Sequence, residues 1–469
     1  MTNPWRRWVL LMLLGAPAAL PVLAGCGVGG DGGGPGEGGA PGAGGATGSA
    51  RGTGGTTGGS AGTGGAAAAG GRTAMGGASA DAGAQSGGGG TSTGGVSGGG
   101  GETSTGGVSG GGGSSNPRDG GVSPDTSPAA DALPPSADAE AAGVRLQGRF
   151  DFTDATRPSF GWSGSAMLAR FTGTGATLRI DGSPNQFAVV VDGAVSSQAL
   201  KVTSGATQYP LASGLAAGLH DVVVWKRTEG NQGENRFLGL DVADGQLRAP
   251  PVPPDRRIEI YGDSITAGYG LDGKGPNCSW SADTENHYLT YGAITARELS
   301  AELHTVAWSG IGMYRNYDKK EASPDAMPFV YARTLPTESS SSWAFSTWQP
   351  HVVVINLGTN DASTHGDPGA PYRTAYLDFV RTLRQKYPDT YFVLSIGPML
   401  DGAELAAIKG HIQAVIEARA SEGDERLSFL EFPVQSQADG LGCDWHPNAT
   451  TNAKMATLLV AELKARLGW

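Results

Sequence analysis

Three short motifs contain the side chains that could perform nucleophilic catalysis in this sequence. They are GDSIT at residues 262–266, GTND at 358–361 and DWHP at 444–447. A serine hydroxyl becomes a nucleophile when a histidine accepts its proton and an acidic side chain orients that histidine. Ser264, His446 and Asp444 are therefore candidates for these three roles, and Asn360 could donate its side-chain amide to an oxyanion.

The elements around these motifs predict where the motifs lie in the fold. From residue 251 onward, apolar strands alternate with helices of helical apolar spacing. The predicted strands are 257–261, 305–308, 352–357, 391–396 and 427–432, and the predicted helices are 288–303, 372–386, 403–420 and 450–467. Such alternation indicates a parallel sheet covered by helices on both faces, and ligands bind such sheets at the carboxyl ends of the strands. The first two motifs directly follow strands, and the third precedes the last helix.

Each motif also has an ordinary structural explanation. Ser264 could be a helix N-cap, GTND could be a plain turn, and DWHP could be an exposed turn before a helix that starts at Pro447. An extended Asp-x-His segment, in contrast, would place both side chains on one side of the chain. All three motifs at one edge of one sheet, in this order, favour a catalytic site.

These motifs resemble those of the SGNH, or GDSL, hydrolases, over about residues 257–469. The glycine block of that family matches WSGIG at residues 308–312. The small β-domain that precedes this region, the Ser-Gly-x-Gly form of the glycine block and the Asp-x-His-Pro ending are most similar to carbohydrate esterase family 2. The resemblance implies a flavodoxin-like parallel sheet after a jelly-roll domain, and removal of acetyl groups from plant-wall polysaccharides.

The resemblance also implies a mechanism of acyl transfer and a set of site residues. Ser264 would be the nucleophile, His446 the base and Asp444 the group that orients His446. The oxyanion would be held by the backbone N–H groups of Ser264 and Gly310 and by Asn360. Many SGNH enzymes have aspartate three residues before the histidine, where this sequence has a cysteine, so a backbone carbonyl could orient His446 instead.

Substrate contacts are expected from aromatic residues beside these motifs. Tyr314 follows the glycine block and Trp445 adjoins His446, which suits an open groove for sugars, although both could equally be packing residues. The remaining histidines are scattered, so we expect neither a metal site nor a cofactor. The catalytic motifs do not specify the acyl group, which leaves a lipid or other non-carbohydrate esterase as an alternative, and a non-catalytic glycan-binding lipoprotein as a second one.

Residues 144–250 are predicted to form a small β-sandwich of the jelly-roll type. Short apolar runs with a period of two are separated by turn signals such as Asp-Gly at residues 181–182 and 192–193. Trp162 and Trp225 are expected in its core rather than on a sugar-binding surface. The α/β domain would then occupy residues 251–469.

The first 26 residues read as an export signal, with Arg6 and Arg7 before an apolar run and Leu-Ala-Gly-Cys at its end. This ending resembles a bacterial lipobox, which implies lipidation of Cys26 and anchorage to a membrane at the surface or in the periplasm. An ordinary secretory signal is the alternative. No other stretch is long and apolar enough to cross a membrane. Residues 27–143 are rich in Gly, Ser, Thr and Pro and are predicted to be a disordered tether.

The net charge limits the possible binding partners, and the cysteine content predicts a disulfide. The chain of 469 residues has a net charge of −11, which argues against nucleic acid as a partner, because phosphate binding needs a basic surface. If Cys26 is lipidated, two cysteines remain in an exported chain. Cys278 follows the nucleophile segment and Cys443 precedes Asp444, so the fold should bring both to one rim of the site. We therefore predict a Cys278–Cys443 disulfide, with two unpaired buried thiols as the alternative.

Overall fold

The computed structural model describes residues 140–141 and 143–469. The predicted signal peptide, Cys26 and nearly all of the predicted tether lie outside the described residues. Within the described part of the chain, no helix has the length and apolar character needed to cross a membrane.

The first described part is a β-sandwich of two antiparallel sheets. One sheet has the strand order β1-β2-β5-β11-β7-β8, with β13 also paired to β5 and β9 to β7, and the other has the order β10-β6-β12-β4-β3. The strands are β1 Glu140–Ala141, β2 Val144–Gln147, β3 Phe150–Asp151, β4 Ser159–Phe160, β5 Ala166–Gly173, β6 Gly175–Gly182, β7 Gln186–Val191, β8 Ala194–Val195, β9 Leu200–Lys201, β10 Gln208–Ala212, β11 Gly218–Lys226, β12 Asn235–Ala243 and β13 Gln246–Arg248. Apolar side chains such as Phe171, Leu178 and Phe237 fill the space between the sheets.

The second part is an α/β domain built on a parallel sheet with the strand order β15-β14-β16-β17-β18. Its strands are β14 Arg256–Gly262, β15 Ala301–Ala307, β16 Val352–Asn356, β17 Tyr391–Ile396 and β18 Leu427–Glu431. Its helices are α1 Ser264–Ala267, α2 Tyr291–Glu298, α3 Met327–Val330, α4 Thr359–Ala362, α5 Gly369–Lys386, α6 Gly402–Ser421 and α7 Ala449–Leu467. The predicted fold class, a parallel α/β sheet preceded by a β-sandwich, is confirmed.

Helices cover both faces of the parallel sheet because alternate strand residues point to opposite sides. Val353 and Ile355 of β16 pack in the cluster that contains α5 and α6, whereas Val352 and Val354 pack in the cluster that contains α2 and α7. In α5, the buried residues recur at helical spacing, which gives this helix a single apolar face. The buried residues of α5 are Tyr372, Tyr376, Phe379, Val380 and Leu383.

The β-sandwich packs directly on the α/β domain and contributes residues to both of its buried clusters. Ala166, Leu168 and Trp225 of the sandwich belong to the same buried cluster as residues of α2 and α7. Two buried ion pairs also cross this contact, Arg145 with Glu302 at 2.6 Å and Arg149 with Glu259 at 2.8 Å. Trp162 and Trp225 are buried, at 1% and 6% exposed, but both pack in clusters shared with the α/β domain and not in the core between the two sandwich sheets, where we expected them.

One predicted helix is too long. The sequence pattern places a helix over residues 288–303, but α2 ends at Glu298 and residues 301–307 form strand β15. The chain turns at Ser300, which has a left-handed φ of 51°. Residues 301–303 are helix formers, and pairing of Ala301 with Arg256 and of Glu302 with Arg257 in the sheet overrides that preference.

Candidate active site

Ser264 begins a single-turn helix at the carboxyl end of β14. The Asp263 carboxylate caps this helix by accepting the Ile265 N–H at 3.0 Å. Gly262 has no room for a side chain, because a Cβ there would lie 2.0 Å from Thr266 Oγ1. Gly268, with a left-handed φ of 90°, ends the helix after one turn. These constraints fix the Ser264 hydroxyl at the edge of the sheet where ligands are expected.

His446 contacts the Ser264 hydroxyl directly. Its Nε2 atom lies 2.8 Å from Ser264 Oγ, and its Nδ1 atom lies 3.2 Å and 3.0 Å from the carbonyl oxygens of Cys443 and Asp444. Because carbonyl oxygens only accept hydrogen bonds, Nδ1 carries the proton and Nε2 presents a lone pair to the serine hydroxyl. Burial lowers the pKa of His446 to about 4, so the imidazole is neutral near pH 7. This is the protonation state that a general base requires.

The Asp444 side chain does not orient His446, contrary to our expectation from the sequence. Its Oδ2 atom accepts hydrogen bonds from the Tyr269 hydroxyl at 2.8 Å and from the Trp280 N–H at 3.1 Å. Residues 443–445 form a 3-10 turn in which Asp444 and Trp445 have left-handed φ values of 49° and 62°. The extended geometry assumed for Asp-x-His therefore does not hold, and the turn presents carbonyl oxygens to the imidazole instead.

Tyr269 is a site residue that sequence reasoning missed. Its ring centre lies 4.2 Å from that of His446, with the two planes tilted by 31°. Because its hydroxyl donates to Asp444, the tyrosine joins the imidazole to the turn that supports it. It follows Ser264 by only five residues, but no local pattern distinguishes it from a packing aromatic.

The three predicted oxyanion donors lie around Ser264. Asn360 Nδ2 donates to the Ile311 carbonyl at 2.8 Å and lies 3.3 Å from Asp263 Oδ2. Asn360 therefore joins the segment beside Gly310 to the segment beside Ser264. Within the described residues, the backbone N–H groups of Ser264 and Gly310 have no hydrogen-bond acceptor. These two backbone donors are thus available to an oxyanion, and their role as an oxyanion hole stays a prediction.

A second missed residue, Asp361, holds the loop that contains Gly310. Its buried carboxylate accepts the backbone N–H groups of three consecutive residues at distances of 2.7–2.9 Å, those of Met313, Tyr314 and Arg315. Burial raises the pKa of Asp361, while these three N–H groups act in the opposite direction. The GTND motif thus contributes both Asn360 and Asp361 to the conformation of the glycine-block loop.

The two aromatic residues predicted to bind substrate differ in their exposure to solvent. Trp445 is 54% exposed and directly precedes His446 in the chain. Tyr314 is partly buried against the core, which does not suit the contact that we expected. Tyr317 is 56% exposed instead, and its N–H donates to the Gly310 carbonyl at 2.8 Å. Tyr317 is therefore the exposed aromatic residue beside the glycine block.

Cys278 and Cys443 form a disulfide with Cα atoms 4.6 Å apart. Backbone hydrogen bonds also join the two segments. The Asp444 N–H donates to the Cys278 carbonyl and the Cys443 N–H donates to the Gly270 carbonyl, both at 2.9 Å. The turn that supports His446 is thus tied to the loop after the nucleophile. Across the described residues, no group of three or more His, Cys, Asp or Glu side chains is arranged to hold a metal ion.

Comparison with known families gives two adjacent matches. Residues 146–251 match the family described as carbohydrate esterase 2 N-terminal. Residues 260–454 match the GDSL-like lipase/acylhydrolase family. The two matches cover the β-sandwich and the α/β domain in turn.

Individual relatives show the same arrangement. The chain is 42% identical over 328 residues to the cellulase/esterase CelE of Acetivibrio thermocellus, with 70% of this chain aligned but only 40% of CelE. It is 30% identical over 324 residues to an acetylxylan esterase / glucomannan deacetylase of Cellvibrio japonicus, which covers 66% of this chain and 86% of that protein. Among solved structures, a family two carbohydrate esterase from Clostridium thermocellum in complex with cellohexaose is 42% identical, with a TM-score of 0.67 over 70% of this chain and 99% of that chain.

Proposed function

The chain belongs to carbohydrate esterase family 2, with an SGNH-type α/β domain, and from this membership we propose that it is a serine esterase that removes O-acetyl groups from polysaccharides. The observation that carries the proposal is the 2.8 Å contact between Ser264 Oγ and His446 Nε2 in a chain with this family match. The Nδ1 contacts with two carbonyl oxygens support a base in the required tautomer.

The proposed mechanism has two half-reactions. His446 Nε2 accepts the Ser264 proton as the serine oxygen attacks the acetyl carbonyl carbon, and the resulting oxyanion is held by the N–H groups of Ser264 and Gly310 with Asn360 nearby. His446 then protonates the sugar oxygen as its bond to the acetyl carbon breaks, which releases the sugar hydroxyl and leaves an acetyl-serine. Water then gives a proton to His446 as its oxygen attacks the acetyl carbon. The bond to Ser264 Oγ breaks, His446 returns the proton to that oxygen, and acetate is released.

The imidazolium formed in each half-reaction is supported by dipoles and not by a directly contacting carboxylate. The Cys443 and Asp444 carbonyl oxygens accept hydrogen bonds from the Nδ1–H group, whereas the Asp444 carboxylate accepts hydrogen bonds from the Tyr269 hydroxyl and the Trp280 N–H. A Ser-His pair with carbonyl support therefore replaces the expected Ser-His-Asp triad in our proposal.

Two observations support a polysaccharide substrate. Trp445 and Tyr317 expose aromatic surface beside His446 and Gly310, and exposed aromatic rings can stack on sugar rings. Relatives carry names that describe action on acetylated xylan and glucomannan, and a related structure holds cellohexaose. We propose an acetylated plant-wall polysaccharide of this kind as the substrate.

The proposal includes the place where the enzyme acts. We propose that residues 1–26 direct export, that lipidated Cys26 anchors the chain to a bacterial membrane, and that residues 27–143 tether the catalytic unit. Metabolic labelling with a palmitate analogue tests this, with Cys26→Ser as the control variant. Equal labelling of both proteins, or none in either, would contradict lipidation at Cys26.

The test of the function is acetate release from acetylated xylan and acetylated glucomannan, with Ser264→Ala as the control. In parallel, 4-nitrophenyl esters of two and eight acyl carbons test the acyl preference. We expect acetate release by the wild-type protein alone and faster cleavage of the two-carbon ester. Faster cleavage of the eight-carbon ester would indicate the alternative, a lipase-like enzyme. No turnover of any ester would leave the glycan-binding alternative.

A further inference from the structure

A carboxylate from the β-sandwich reaches the glycine-block loop of the α/β domain. Glu229 lies in the loop between β11 and β12 and is 1% exposed. Its Oε2 atom accepts the backbone N–H of Ser309 at 2.6 Å. Ser309 directly precedes Gly310, whose N–H is the backbone donor proposed for the oxyanion on this loop. Glu229 therefore fixes the peptide next to that donor.

The position of Glu229 is itself fixed by buried contacts. The ammonium group of Lys226, which is fully buried, donates to the Thr228 carbonyl at 2.7 Å and to the Glu229 carbonyl at 3.1 Å. Arg227 follows Lys226 in the chain; its carbonyl oxygen accepts the His287 N–H at 3.1 Å, and its guanidinium binds the Asp272 carboxylate at 2.6 Å. The β11–β12 loop is thus held against the α/β domain from both its backbone and its side chains.

The glycine-block loop needs such fixing at Ser309. Gly310 has a left-handed φ of 80°, and glycine can leave that conformation at low energetic cost. Farther along the loop, Asn360 holds the Ile311 carbonyl and Asp361 holds the amides of residues 313–315. On the other side of Gly310, the Ser309 N–H has Glu229 as its acceptor. Glu229 and Asn360 therefore bracket the proposed oxyanion donor.

We propose that Glu229 is a positioning residue for catalysis, through which the β-sandwich holds the Gly310 N–H in the orientation that stabilises the oxyanion. The inference rests on the proposed function, because it assigns a role within the same reaction. It gives the β-sandwich a part in the chemical step in addition to its packing role. Glu229 does not touch the reacting atoms, so its effect passes through the Ser309 peptide.

The hydrogen bond needs an acceptor and does not need a charge. A glutamine at position 229 keeps a side-chain oxygen at the same reach, whereas alanine removes the acceptor and aspartate shortens the side chain by one carbon. Glu285 provides a matched control, since it is a second fully buried acid near Lys226 and, within the described residues, makes no hydrogen bond to Ser309. Glu285→Gln removes a second ionisable carboxyl group from the same region without touching Ser309.

The experiment measures the rate of phosphonylation of Ser264 by a fluorophosphonate, which depends on the nucleophile and the oxyanion hole but not on a sugar substrate. It is combined with kcat and KM for an acetyl ester and with thermal unfolding of each variant. We expect Glu229→Ala and Glu229→Asp to lower the phosphonylation rate and kcat by about 10- to 100-fold, because small misplacements of catalytic groups have effects of this size. KM should stay within about 3-fold. Glu229→Gln and Glu285→Gln should keep both rates within about 3-fold.

Several outcomes would overturn the inference. Wild-type phosphonylation rates in Glu229→Ala would do so, and, if that variant does not fold, wild-type rates in folded Glu229→Asp would do so. A Glu229→Gln variant as slow as Glu229→Ala would assign the effect to charge and would overturn the positioning role. One outcome separates the two proposals. If the wild-type protein reacts with the fluorophosphonate, the Glu229 variants react more slowly as expected, and no acetyl ester is hydrolysed, the proposed function is contradicted and this inference is supported.

Discussion

The Nδ1 atom of His446 lies 3.0 Å from the backbone carbonyl oxygen of Asp444, while the carboxylate of the same aspartate binds Tyr269 and Trp280. One residue therefore supports the imidazole through its backbone and the surrounding turn through its side chain. The carbonyl fixes the tautomer of His446, and the carboxylate fixes the turn that carries the carbonyl. Substitutions at position 444 can separate these two effects.

Asp444→Asn should lower kcat by less than about 10-fold, because the tautomer of His446 depends on carbonyl oxygens that this change leaves in place. Asparagine also keeps an acceptor for Tyr269 and tolerates the left-handed conformation of residue 444. Asp444→Ala, which has neither property, should be the slower variant. Steady-state kinetics on an acetyl ester test this. A loss of about 10,000-fold in Asp444→Asn would restore the carboxylate as the group that orients the imidazole.

Ser264→Ala should lower turnover of an acetyl ester by about three orders of magnitude or more, as the loss of a nucleophile does. The substitution removes one hydroxyl that is 7% exposed, so folding should be unaffected. Thermal unfolding and activity are measured together, with the exposed Ser213→Ala as the matched control. If Ser264→Ala keeps a tenth of the wild-type activity, another residue is the nucleophile.

Asn360→Ala should lower kcat by about 100- to 1,000-fold with little change in KM, which is the loss typical of one oxyanion-hole group. The substitution also removes the hydrogen bond to the Ile311 carbonyl at 2.8 Å and the contact with Asp263 Oδ2 at 3.3 Å, which together hold the glycine-block loop beside Ser264. The measurement is kcat and KM for short acetyl esters. An effect confined to KM would assign Asn360 to substrate binding.

The acid limb of the kcat/KM profile should lie well below pH 6.5. His446 must be neutral to accept the Ser264 proton, and burial lowers its pKa to about 4, so activity is lost only when the pH falls through that lower value. Initial rates with an uncharged acetyl ester across the acidic range measure the limb. A limb at or above the ordinary histidine pKa would contradict this prediction.

Asp263 provides the control for that profile. Burial raises the pKa of Asp263 to about 7, so this carboxyl also changes charge in the range examined. Asp263→Asn keeps an acceptor for the Ile265 N–H and cannot titrate. If the acid limb of the wild-type protein lies near pH 7 and moves down in Asp263→Asn, ionisation of Asp263 controls the limb and the assignment to His446 is wrong.

Cys278→Ser/Cys443→Ser should lower both stability and kcat. The bridge closes a loop with a sequence separation of 165 residues, and loops of this size correspond to a loss of about 4 to 5 kcal/mol in the chain-entropy model. The bridge also ties the His446 turn to the loop after Ser264, so kcat should fall with the melting temperature. Calorimetry and steady-state kinetics on the double variant test this. Unchanged values for both would show that backbone contacts alone hold the turn.

The sequence predicted the parallel sheet and the meeting of Ser264, His446 and Asn360, because strand ends in such a sheet converge at one edge. The orientation of Asp444 was not predictable by the same reasoning, since alternation of side chains applies to extended chain and residues 444 and 445 are left-handed. Glu229 and Tyr269 were missed for a different reason. Glu229 meets Ser309 only when the sandwich packs on the sheet, and no local pattern encodes a contact between residues 80 positions apart.

Trp225, Ala166 and Leu168 share a buried cluster with α2 and α7, and this cluster limits where the expressed chain can be truncated. A gene fragment that starts at residue 251 would expose an apolar surface that is buried in the intact protein, and it would also lack Glu229. Fusion proteins and truncated variants should therefore retain residues 143–469 as one segment. If this catalytic unit is exchanged between larger enzymes during evolution, the sandwich and the α/β domain should be transferred together, because they share a buried interface.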